Sequence, residues 1–441
     1  MEAELTGGLV AFARALTPSS LGDDTRRIAR DCAIDTLAVA VAGAETPLVH
    51  LLLADLADEA AGSTDGVAVI GHGTRLPPRP AAMVNGAMAH ALDYDDVNMA
   101  IPGHPSAAIL PALWALAERR DITAPEAFET AFVAGYDFAC RLGRVIAPGH
   151  YDGLGFHATA TLGCIGAAAA CAHLLGLDET AFAHAIGLAA TSAAGLKSMF
   201  GSMAKPLHAG RAAADGLMAA TLAARGFTAR TDALECPQGF CATHSPDFAP
   251  ARAFETPDGG FYIRANLFKF HAACYLTHAP IECARSGRTA HDIRPDRIAR
   301  IVLRVDEAVG RVCDIAAPRD GLEAKFSLRL AVALGLMGVD TARLETFGPA
   351  TVSDPVLSAL RDRVEVVFER GWPHTRAVLL ITNTDGRMVE TTHDAGVPAA
   401  DPVAQSVRVA AKARALLAPR LGKAGAEAVL AKPWPATTAR T

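Results

Sequence analysis

Apolar residues at helical spacing predict one helix after another in the first half of the chain. Between residues 23 and 41, Ile28, Cys32, Leu37 and Val41 recur at this spacing after the candidate capping pair Asp23 and Asp24. The same pattern predicts helices over 81–92, 106–119, 124–145, 158–175, 179–194 and 209–225, with Ser106 as the N-cap of the second of these.

Alternating patterns, which are typical of strands, appear after residue 263. Ile301, Leu303 and Val305 alternate with polar positions, as do Val364, Val366 and Phe368. Two further strands, 378–382 and 388–392, flank Asp385–Gly386, which predicts a hairpin turn. Helices are expected over 322–336, 355–361 and 401–421. The fold class predicted is therefore mainly α. A large all-helical domain is formed by 1–264 with 403–441, and a smaller α+β domain by 265–402.

Composition narrows the class of protein. The 441 residues include 51% hydrophobic and 20% charged residues, and the net charge is only −6. A nucleic-acid partner is not expected, because it would need a basic face. The nine cysteines are an odd number and include no CxxC pair, which predicts reduced, buried thiols in a cytoplasmic protein.

Membrane and export signals are not apparent in the sequence. We see no apolar run that reaches about 18 residues without a polar break, so no membrane partner is expected. The first 16 residues contain Glu2 and Glu4, where a secretory signal would have basic residues. The sequence thus predicts a cytoplasmic protein without a signal peptide.

Four polar clusters interrupt this apolar chain and are candidates for chemistry. The first combines His90, Asp93, Asp95 and Asp96 with His104. Three carboxylates within four residues repel one another, which can raise the pKa of one of them toward neutrality, as a general acid or base requires. The alternative is a capped, solvated loop between two helices.

The second cluster contains His150, Tyr151, Asp152 and His157. His157 would lie at the start of a predicted helix, where the helix dipole disfavours a protonated imidazole. A neutral histidine is a usable base. The alternative is a histidine whose hydrogen bonds are purely structural.

The third cluster places Lys197, Lys205, His208 and Arg211 around the Gly201 loop, which we expect to open onto the helix at 209. Helix-start amides with nearby cations can bind a carboxylate or a phosphate. No nucleotide-binding glycine motif is present, so a carboxylate is favoured. The alternative is a basic surface turn.

The fourth cluster contains Lys269, His271, Cys274 and His278, where the helical part gives way to the strands. Cys274 is either an activated thiol or, more commonly, a packed small residue. We find no HExxH motif, CxxC pair or GxSxG elbow, so no metal is predicted, although the spacing of His90 and Asp93 would also suit one.

Taken in order, these motifs resemble the MmgE/PrpD family, which contains 2-methylcitrate dehydratase, cis-aconitate decarboxylase and iminodisuccinate epimerase. The matching segments cover nearly the whole chain: 85–96, 103–106, 155–157, 201–213, 269–278 and 323–327. The resemblance implies a homodimer with a site between the two domains, and neither a metal nor an organic cofactor. It places the family's site residues on Asp93, His104, His157, Lys205 and Lys269.

Three positions depart from the pattern of decarboxylase-like members. Val97 replaces a common threonine, Cys274 replaces a histidine, and Leu330 replaces a frequent aromatic residue. These differences argue against decarboxylation of cis-aconitate. The segments 96–104, 149–151 and 323–327 are more similar to iminodisuccinate epimerase-like members.

The activities of this family move a proton at a carbon next to a carboxylate. We expect Lys205 to stabilise the negative charge that develops there. We expect His157 or His104 to act as base or acid, Asp93 to orient one of them, and Tyr151 to be a second acid or base. The predicted substrate-binding residues are Lys269, Arg211, His208, Cys274 and His278.

Three functions remain open at this point. The leading one is a lyase, a hydratase or dehydratase similar to 2-methylcitrate dehydratase, acting on a small di- or tricarboxylate. The second is an epimerase or isomerase of an imino- or amino-dicarboxylate, which needs two opposed acid/base groups. The third is a non-catalytic carboxylate-binding protein, which the number of polar clusters disfavours because buried charges are costly.

Overall fold

The computed structural model describes residues 5–60 and 66–434. Glu2, Glu4 and the last residues of the predicted helical domain lie outside the described residues. The chain forms two compact units, Met1–Phe268 with Ala400–Thr441, and Lys269–Ala399. We call these the helical unit and the sheet unit.

The helical unit is built from successive helices with one short two-stranded ribbon. In chain order its elements are α1 (Leu5–Ala15), α2 (Asp23–Gly43), α3 (Pro47–Ala60), β1 (Val67–Ala68), β2 (Arg75–Leu76), α4 (Pro78–His90), α5 (Pro105–Arg119), α6 (Pro125–Ile146), α7 (Ala158–Leu174), α8 (Glu179–Ser192), α9 (Ala204–Ala223) and α10 (Phe240–His244).

The sheet unit and the C-terminal helix follow. The sheet unit contains α11 (His278–Ala290), β3 (Ile298–Asp306), α12 (Glu307–Cys313), α13 (Gly321–Ala324), α14 (Leu328–Met337), α15 (Pro349–Val352), α16 (Pro355–Arg361), β4 (Val364–Glu369), β5 (Arg376–Asn383) and β6 (Met388–Asp394). The last helix, α17 (Pro402–Ala431), belongs to the helical unit.

Small residues let the helices of the helical unit approach one another closely. A Cβ atom on Gly210 of α9 would lie 2.1 Å from the Met83 carbonyl oxygen of α4, and one on Gly86 would lie 2.9 Å from the Gly210 Cα. Such contacts exclude any side chain at these positions. The glycines thereby bring α4, which ends at His90, against α9, which contains Lys205.

Two predicted helix starts were wrong, and both corrections affect the candidate site. Helix α9 begins at Ala204 instead of residue 209, so Lys205 and His208 lie on the helix and not in a loop before it. Helix α5 begins at Pro105, and its N-cap residue is His104. The Ser106 hydroxyl donates instead to Asp96 Oδ2, at 2.8 Å.

The start of α2 also differs from the prediction. Its N-cap residue is Gly22, whereas Asp23 and Asp24 lie in the first turn. Negative charge in a first turn stabilises the helix through its dipole, which accounts for two acids at this point.

The sheet unit confirms the strand predictions. Its four strands are ordered β4-β3-β5-β6, with β3 and β4 parallel and the other pairs antiparallel. Ile301 and Leu303 are buried, as the alternation predicts. The hairpin joins β5 to β6, and Gly386 in its turn has a φ of 83°. Only glycine adopts this conformation readily.

Two of the predicted helices have different bounds in the structure. The helix expected over 322–336 is split into α13 and α14, because Ser327 caps α14 by accepting from the Leu330 amide at 3.3 Å. The helix expected over 401–421 continues to Ala431, with a break at Gly422, where φ is 68°. The predicted fold class, a large helical part with a smaller mixed-sheet part, is confirmed.

All nine cysteines are free thiols, and every one except the half-buried Cys274 is buried. Among the described residues, no single helix is long and apolar enough to cross a membrane. A sharply bent pair, Asp23–Gly43 with Pro47–Ala57, passes the same test of length and composition.

Candidate active site

The centre of the candidate site is the buried carboxylate of Asp95, in the loop between α4 and α5. One Asp95 oxygen, Oδ2, lies 3.0 Å from His90 Nδ1 and 3.1 Å from His104 Nδ1. The two imidazole rings are 4.5 Å apart. The contact with His90 is a hydrogen bond, which fixes that ring and leaves His90 Nε2 as the atom that can exchange a proton. The contact with His104 is an ion-pair distance, and His104 Nδ1 has no hydrogen-bond partner among the described residues.

Asp95 and Asp96 are adjacent acids whose pKa values are shifted in opposite directions. Burial disfavours the charge on both, but His104 and His90 outweigh it and hold the pKa of Asp95 well below its ordinary value. Burial, together with the nearby Asp35, raises the pKa of Asp96 well above its ordinary value. The surroundings therefore favour the charged form of Asp95 and the neutral form of Asp96.

Asp93 and Lys205 lie on the other side of His104. Lys205 Nζ is 2.8 Å from Asp93 Oδ1, and His104 Nε2 is 3.5 Å from the same oxygen. Half of the Asp93 side chain, 51%, is exposed, whereas Lys205 is 15% exposed. Asp93 adopts a left-handed φ of 49°, which is uncommon for a residue with a side chain and typical of functional loops. A cation, an imidazole and a carboxylate thus meet at a solvent-accessible point.

His157 and His208 extend this cluster of imidazoles. The His157 and His208 Nδ1 atoms are 3.1 Å apart, and the His157 ring stacks on His90 at 5.7 Å. Burial lowers the pKa of His157 well below its ordinary value, and His90 and Lys205 lower it further. Burial likewise lowers the pKa of His208. Both rings are neutral near pH 7 and can accept a proton.

His90 is also neutral near pH 7. Burial lowers its pKa to about 4, and neighbouring Lys205 and His104 act in the same direction against Asp95. Its Nε2 has no hydrogen-bond partner among the described residues. A buried ring nitrogen without a partner is a feature that functional sites tolerate more often than cores do.

The loop from Asp93 to His104 is anchored by hydrogen bonds and close packing at several points. Val97 pairs with Leu267 through two backbone hydrogen bonds of 2.8 Å. The His104 amide donates to Thr159 Oγ1 at 3.1 Å. A Cβ on Gly103 would lie 2.9 Å from that same Oγ1, so only glycine fits there. His104 is therefore held against the first turn of α7.

Tyr151 lies in the turn Gly149–Gly153, before α7. Burial raises the pKa of its phenol, and Asp152 and Asp93 raise it further. Lys197 Nζ lies 3.6 Å from the centre of its ring and donates to its carbonyl oxygen at 3.0 Å. Tyr151 keeps its proton near neutral pH and is a candidate acid.

His150, in the same turn, has a structural role. Its Nδ1 lies 2.8 Å from the His244 carbonyl oxygen, and its Nε2 lies 2.7 Å from Thr161 Oγ1. Both ring nitrogens are therefore engaged within the fold, and none remains for a substrate.

Arg211 differs from the other predicted residues of the helical unit in its surroundings. Its side chain is 62% exposed and lies 3.9 Å from Asp215. It lines a cavity of about 940 Å³, together with residues such as Arg79 and Arg119. It also lines a smaller cavity of about 210 Å³ that includes His208. Asp93, His104 and Lys205 are not among the described residues that line either cavity.

The remaining predicted substrate ligands form a separate group within the sheet unit. Lys269 Nζ lies 5.9 Å from the Tyr275 ring centre, and the His278 ring is 5.0 Å from the same ring. Burial lowers the pKa of His278 well below its ordinary value, with His271 and Lys269 adding to the effect. The Cys274 amide donates to the Lys325 carbonyl oxygen at 3.1 Å.

The first cluster also contains donors that could hold a metal ion. His90, Asp93, Asp95 and His104 each offer one ligand atom, and these atoms lie within 4.8 Å of one another. However, the Lys205 ammonium already pairs with Asp93, and Asp95 faces two imidazole Nδ1 atoms. A metal would have to displace these partners, so the arrangement fits proton transfer better than metal binding.

Two important residues, His90 and Asp95, were not among the predicted site residues. Asp93 was expected to orient a histidine, but the buried carboxylate between the two rings is Asp95. The local sequence offers no signal for this, because Tyr94–Asp95 is flanked by Asp93 and Asp96. The spacing alone did not distinguish the three acids.

Comparison with known proteins agrees with the motifs. A model of the MmgE/PrpD N-terminal domain matches residues 8–253, and a model of the C-terminal domain matches residues 271–435. The chain belongs to the MmgE/PrpD family. The resemblance inferred from the polar clusters is thereby confirmed.

Several curated members of the family are similar over much of this chain. A cis-aconitate decarboxylase-like protein of Aspergillus oryzae is 28% identical over 88% of this chain and 86% of its own length. The cis-aconitate decarboxylase of Homo sapiens is 30% identical over 81% and 76%. That of Aspergillus terreus is 29% identical over 63% and 59%. These MmgE/PrpD relatives support a lyase-type enzyme, and they do not confirm the dehydratase-like detail.

Proposed function

We propose that this MmgE/PrpD protein is a lyase that eliminates water from a small hydroxylated di- or tricarboxylate, or adds it in reverse. The observation that carries the proposal is the meeting of Asp93, His104 and Lys205 at one exposed point. Lys205 Nζ and His104 Nε2 lie 2.8 and 3.5 Å from the same Asp93 oxygen. The site thereby offers a cation, a proton-accepting ring and a carboxylate to one ligand.

In the proposed reaction, the imidazole of His104 or of His157 removes a proton from the carbon next to a substrate carboxylate. The electron pair moves onto that carboxylate, where the Lys205 ammonium stabilises the added negative charge. The pair then forms a carbon–carbon double bond as the neighbouring hydroxyl group leaves. An acid, for which Tyr151 is the candidate, gives that group a proton so that it departs as water.

The ionisation of the site favours proton abstraction as the first step. Burial lowers the pKa values of His157 and His208, so both rings are neutral near pH 7. Neutral imidazoles accept protons from carbon acids and are poor proton donors. Elimination begins when such an acceptor takes a proton from the substrate carbon, whereas decarboxylation ends when a donor gives a proton to the carbanion.

A second candidate is the decarboxylation of a tricarboxylate such as cis-aconitate, which the names of the relatives favour. Lys205 would serve the same purpose in that reaction, because loss of carbon dioxide also leaves a carbanion that needs a cation nearby. Val97, Cys274 and Leu330 are the departures from the decarboxylase-like pattern that argue for elimination. Lys269, Cys274 and His278 are proposed as further substrate ligands in either case.

The two reactions are separated by their products. Purified enzyme is incubated with hydroxy-di- and tricarboxylates and with their unsaturated counterparts, and both ultraviolet absorbance and carbon dioxide are measured. A new double bond without carbon dioxide supports the proposal. Release of carbon dioxide from an unsaturated tricarboxylate supports the second candidate instead. Inversion at the α-carbon without either product overturns both and supports an epimerase.

A further inference from the structure

A buried lysine lies beneath the loop that carries the candidate site. Lys412, on α17, is only 2% exposed. Its Nζ lies 2.6 Å from Asp35 Oδ1 of α2 and donates to the Tyr94 carbonyl oxygen at 2.6 Å. The same Nζ lies 3.9 Å from the centre of the Tyr94 ring. A carboxylate, a carbonyl and an aromatic face thus surround an ammonium with three donors.

The carbonyl that Lys412 holds has a particular position. It belongs to the peptide group that joins Tyr94 to Asp95, so fixing it fixes the plane from which the Asp95 side chain extends. Asp95 in turn holds the Nδ1 atoms of His90 and His104, at 3.0 and 3.1 Å. Lys412 is therefore connected to His104 through the Tyr94–Asp95 peptide group and the Asp95 carboxylate.

Charge supports the same connection. Burial lowers the pKa of Lys412, whereas Asp35, Asp95 and Asp96 oppose this change. Burial raises the pKa of Asp35, and Lys412 opposes that change. A buried ion pair is costly to maintain, and a lysine packed only for stability could be replaced by an apolar residue. The Lys412–Asp35 pair contacts the loop that contains Tyr94 and Asp95, which is where a positioning role would require it.

We propose that Lys412, paired with Asp35, is a positioning residue that holds the Tyr94–Asp95 peptide so that Asp95 fixes the Nδ1–H tautomer of His90 and stays within 3.1 Å of His104. The role in turnover depends on the lyase function proposed above, but the tautomer does not. The C-terminal helix thereby contributes to a site whose other members in the helical unit lie between residues 90 and 208.

The test compares Lys412→Met, Lys412→Arg and the paired variant Asp35→Leu/Lys412→Met, with the exposed Lys423→Met as control. Lys412→Met should lower kcat by about tenfold or more with a much smaller change in KM, because a small displacement of catalytic groups affects the reaction more than binding. Lys412→Arg, which keeps the charge and the donors, should recover part of the loss. Lys423→Met should behave as wild type.

The decisive readout is the nitrogen NMR spectrum of ¹⁵N-histidine-labelled enzyme, recorded without substrate. We expect wild type to show His90 as the Nδ1–H tautomer, and we expect Lys412→Met and the paired variant Asp35→Leu/Lys412→Met to show averaged tautomers of His90. The paired variant leaves no lone buried charge, so it keeps the test valid if Lys412→Met does not fold. A folded paired variant with wild-type tautomers overturns the inference. If a variant has altered tautomers but the kcat of wild type, the role of Lys412 in turnover is overturned. If the tautomers change as expected but the wild-type enzyme has no lyase activity, only the proposed function is overturned.

Discussion

Two adjacent acids, Asp95 and Asp96, illustrate how strongly surroundings decide the role of a residue. Both are buried, but Asp95 faces two imidazoles whereas Asp96 faces the Ser106 hydroxyl and the carboxylate of Asp35. These surroundings therefore favour the charged form of Asp95 and the neutral form of Asp96. The dipeptide Asp95-Asp96 does not distinguish them, because the partners that separate their roles come from other parts of the chain.

This difference predicts opposite results for the same substitution. Asp95→Asn removes the charge that fixes the His90 tautomer and pairs with His104, and should lower kcat by as much as about ten-thousandfold, the loss that follows removal of the orienting carboxylate in a Ser-His-Asp triad. Asp96→Asn replaces an acid whose neutral form is favoured by an amide of the same shape, and should lower kcat by less than about tenfold. Steady-state kinetics of both variants measure the contrast. Equal losses would contradict the assigned ionisation.

Lys205 provides a second prediction at the scale of the residue. Its Nζ is 2.8 Å from Asp93 in the candidate site. If Lys205 stabilises developing charge, Lys205→Ala should lower kcat/KM by about a hundredfold or more. Lys423→Ala, on the surface of α17, is the matched control. Turnover by Lys205→Ala close to that of the control would remove Lys205 from the mechanism.

At the scale of the element, close packing of α4 on α9 brings His90 and Lys205 together. Gly210→Ala would place a Cβ 2.1 Å from the Met83 carbonyl oxygen. Overpacking of this kind costs about 1–3 kcal/mol in the free energy of unfolding. Gly73→Ala, where a Cβ would meet no heavy atom within 4 Å, is the control. Urea denaturation measures both variants, and equal midpoints would contradict the packing argument.

Most elements could be predicted from the sequence, but the details that create the site could not. Apolar spacing located α2, α5, α6 and all the strands of the sheet unit, because periodicity reports burial directly. It placed the start of α9 five residues too late, at 209 instead of 204, since Lys205-Pro206 precedes a clear apolar pattern. The first turn of a helix accommodates proline well. Helix α9 therefore begins before Pro206 and includes Lys205 and His208.

Long-range contacts explain the rest of the difference. Lys412 reaches Tyr94 from the other end of the chain, and Val97 pairs with Leu267. Neither contact has a signal in local sequence pattern. The resemblance to MmgE/PrpD proteins pointed to Asp93, His104, His157, Lys205 and Lys269. The structure brings the first four side chains into one cluster with His90 and Asp95, whereas Lys269 belongs to the sheet unit.

For the whole molecule, buried neutral histidines predict how stability depends on pH. Burial lowers the pKa of His90 and of His150 to about 4 each. Between pH 6.5 and about 4, the unfolded chain therefore binds protons that the folded chain does not, and stability falls as the pH falls. Asp31 and Asp137, with pKa values raised by burial to about 6, act in the opposite direction.

Further acids oppose the histidines, because burial also raises the pKa values of Asp35, Asp96, Glu129 and Asp215. A single histidine is therefore the clear test. In His150→Gln the free energy of unfolding should fall less between pH 7 and pH 5 than in wild type, by about 1–2 kcal/mol, because the variant lacks a group that binds a proton only in the unfolded chain. Urea denaturation of both proteins at the two pH values measures this, and the same pH dependence in both would contradict a neutral, buried His150.

The central claim is that the cluster around Asp95 and Lys205 moves a proton at a carbon next to a carboxylate. Its most direct test is proton NMR of the hydroxy acid that the enzyme forms or consumes during turnover in heavy water. The account predicts deuterium at that carbon when the reaction runs in the direction of hydration, and incorporation about a hundredfold slower when Lys205→Ala is used. Turnover without deuterium at that carbon would contradict it.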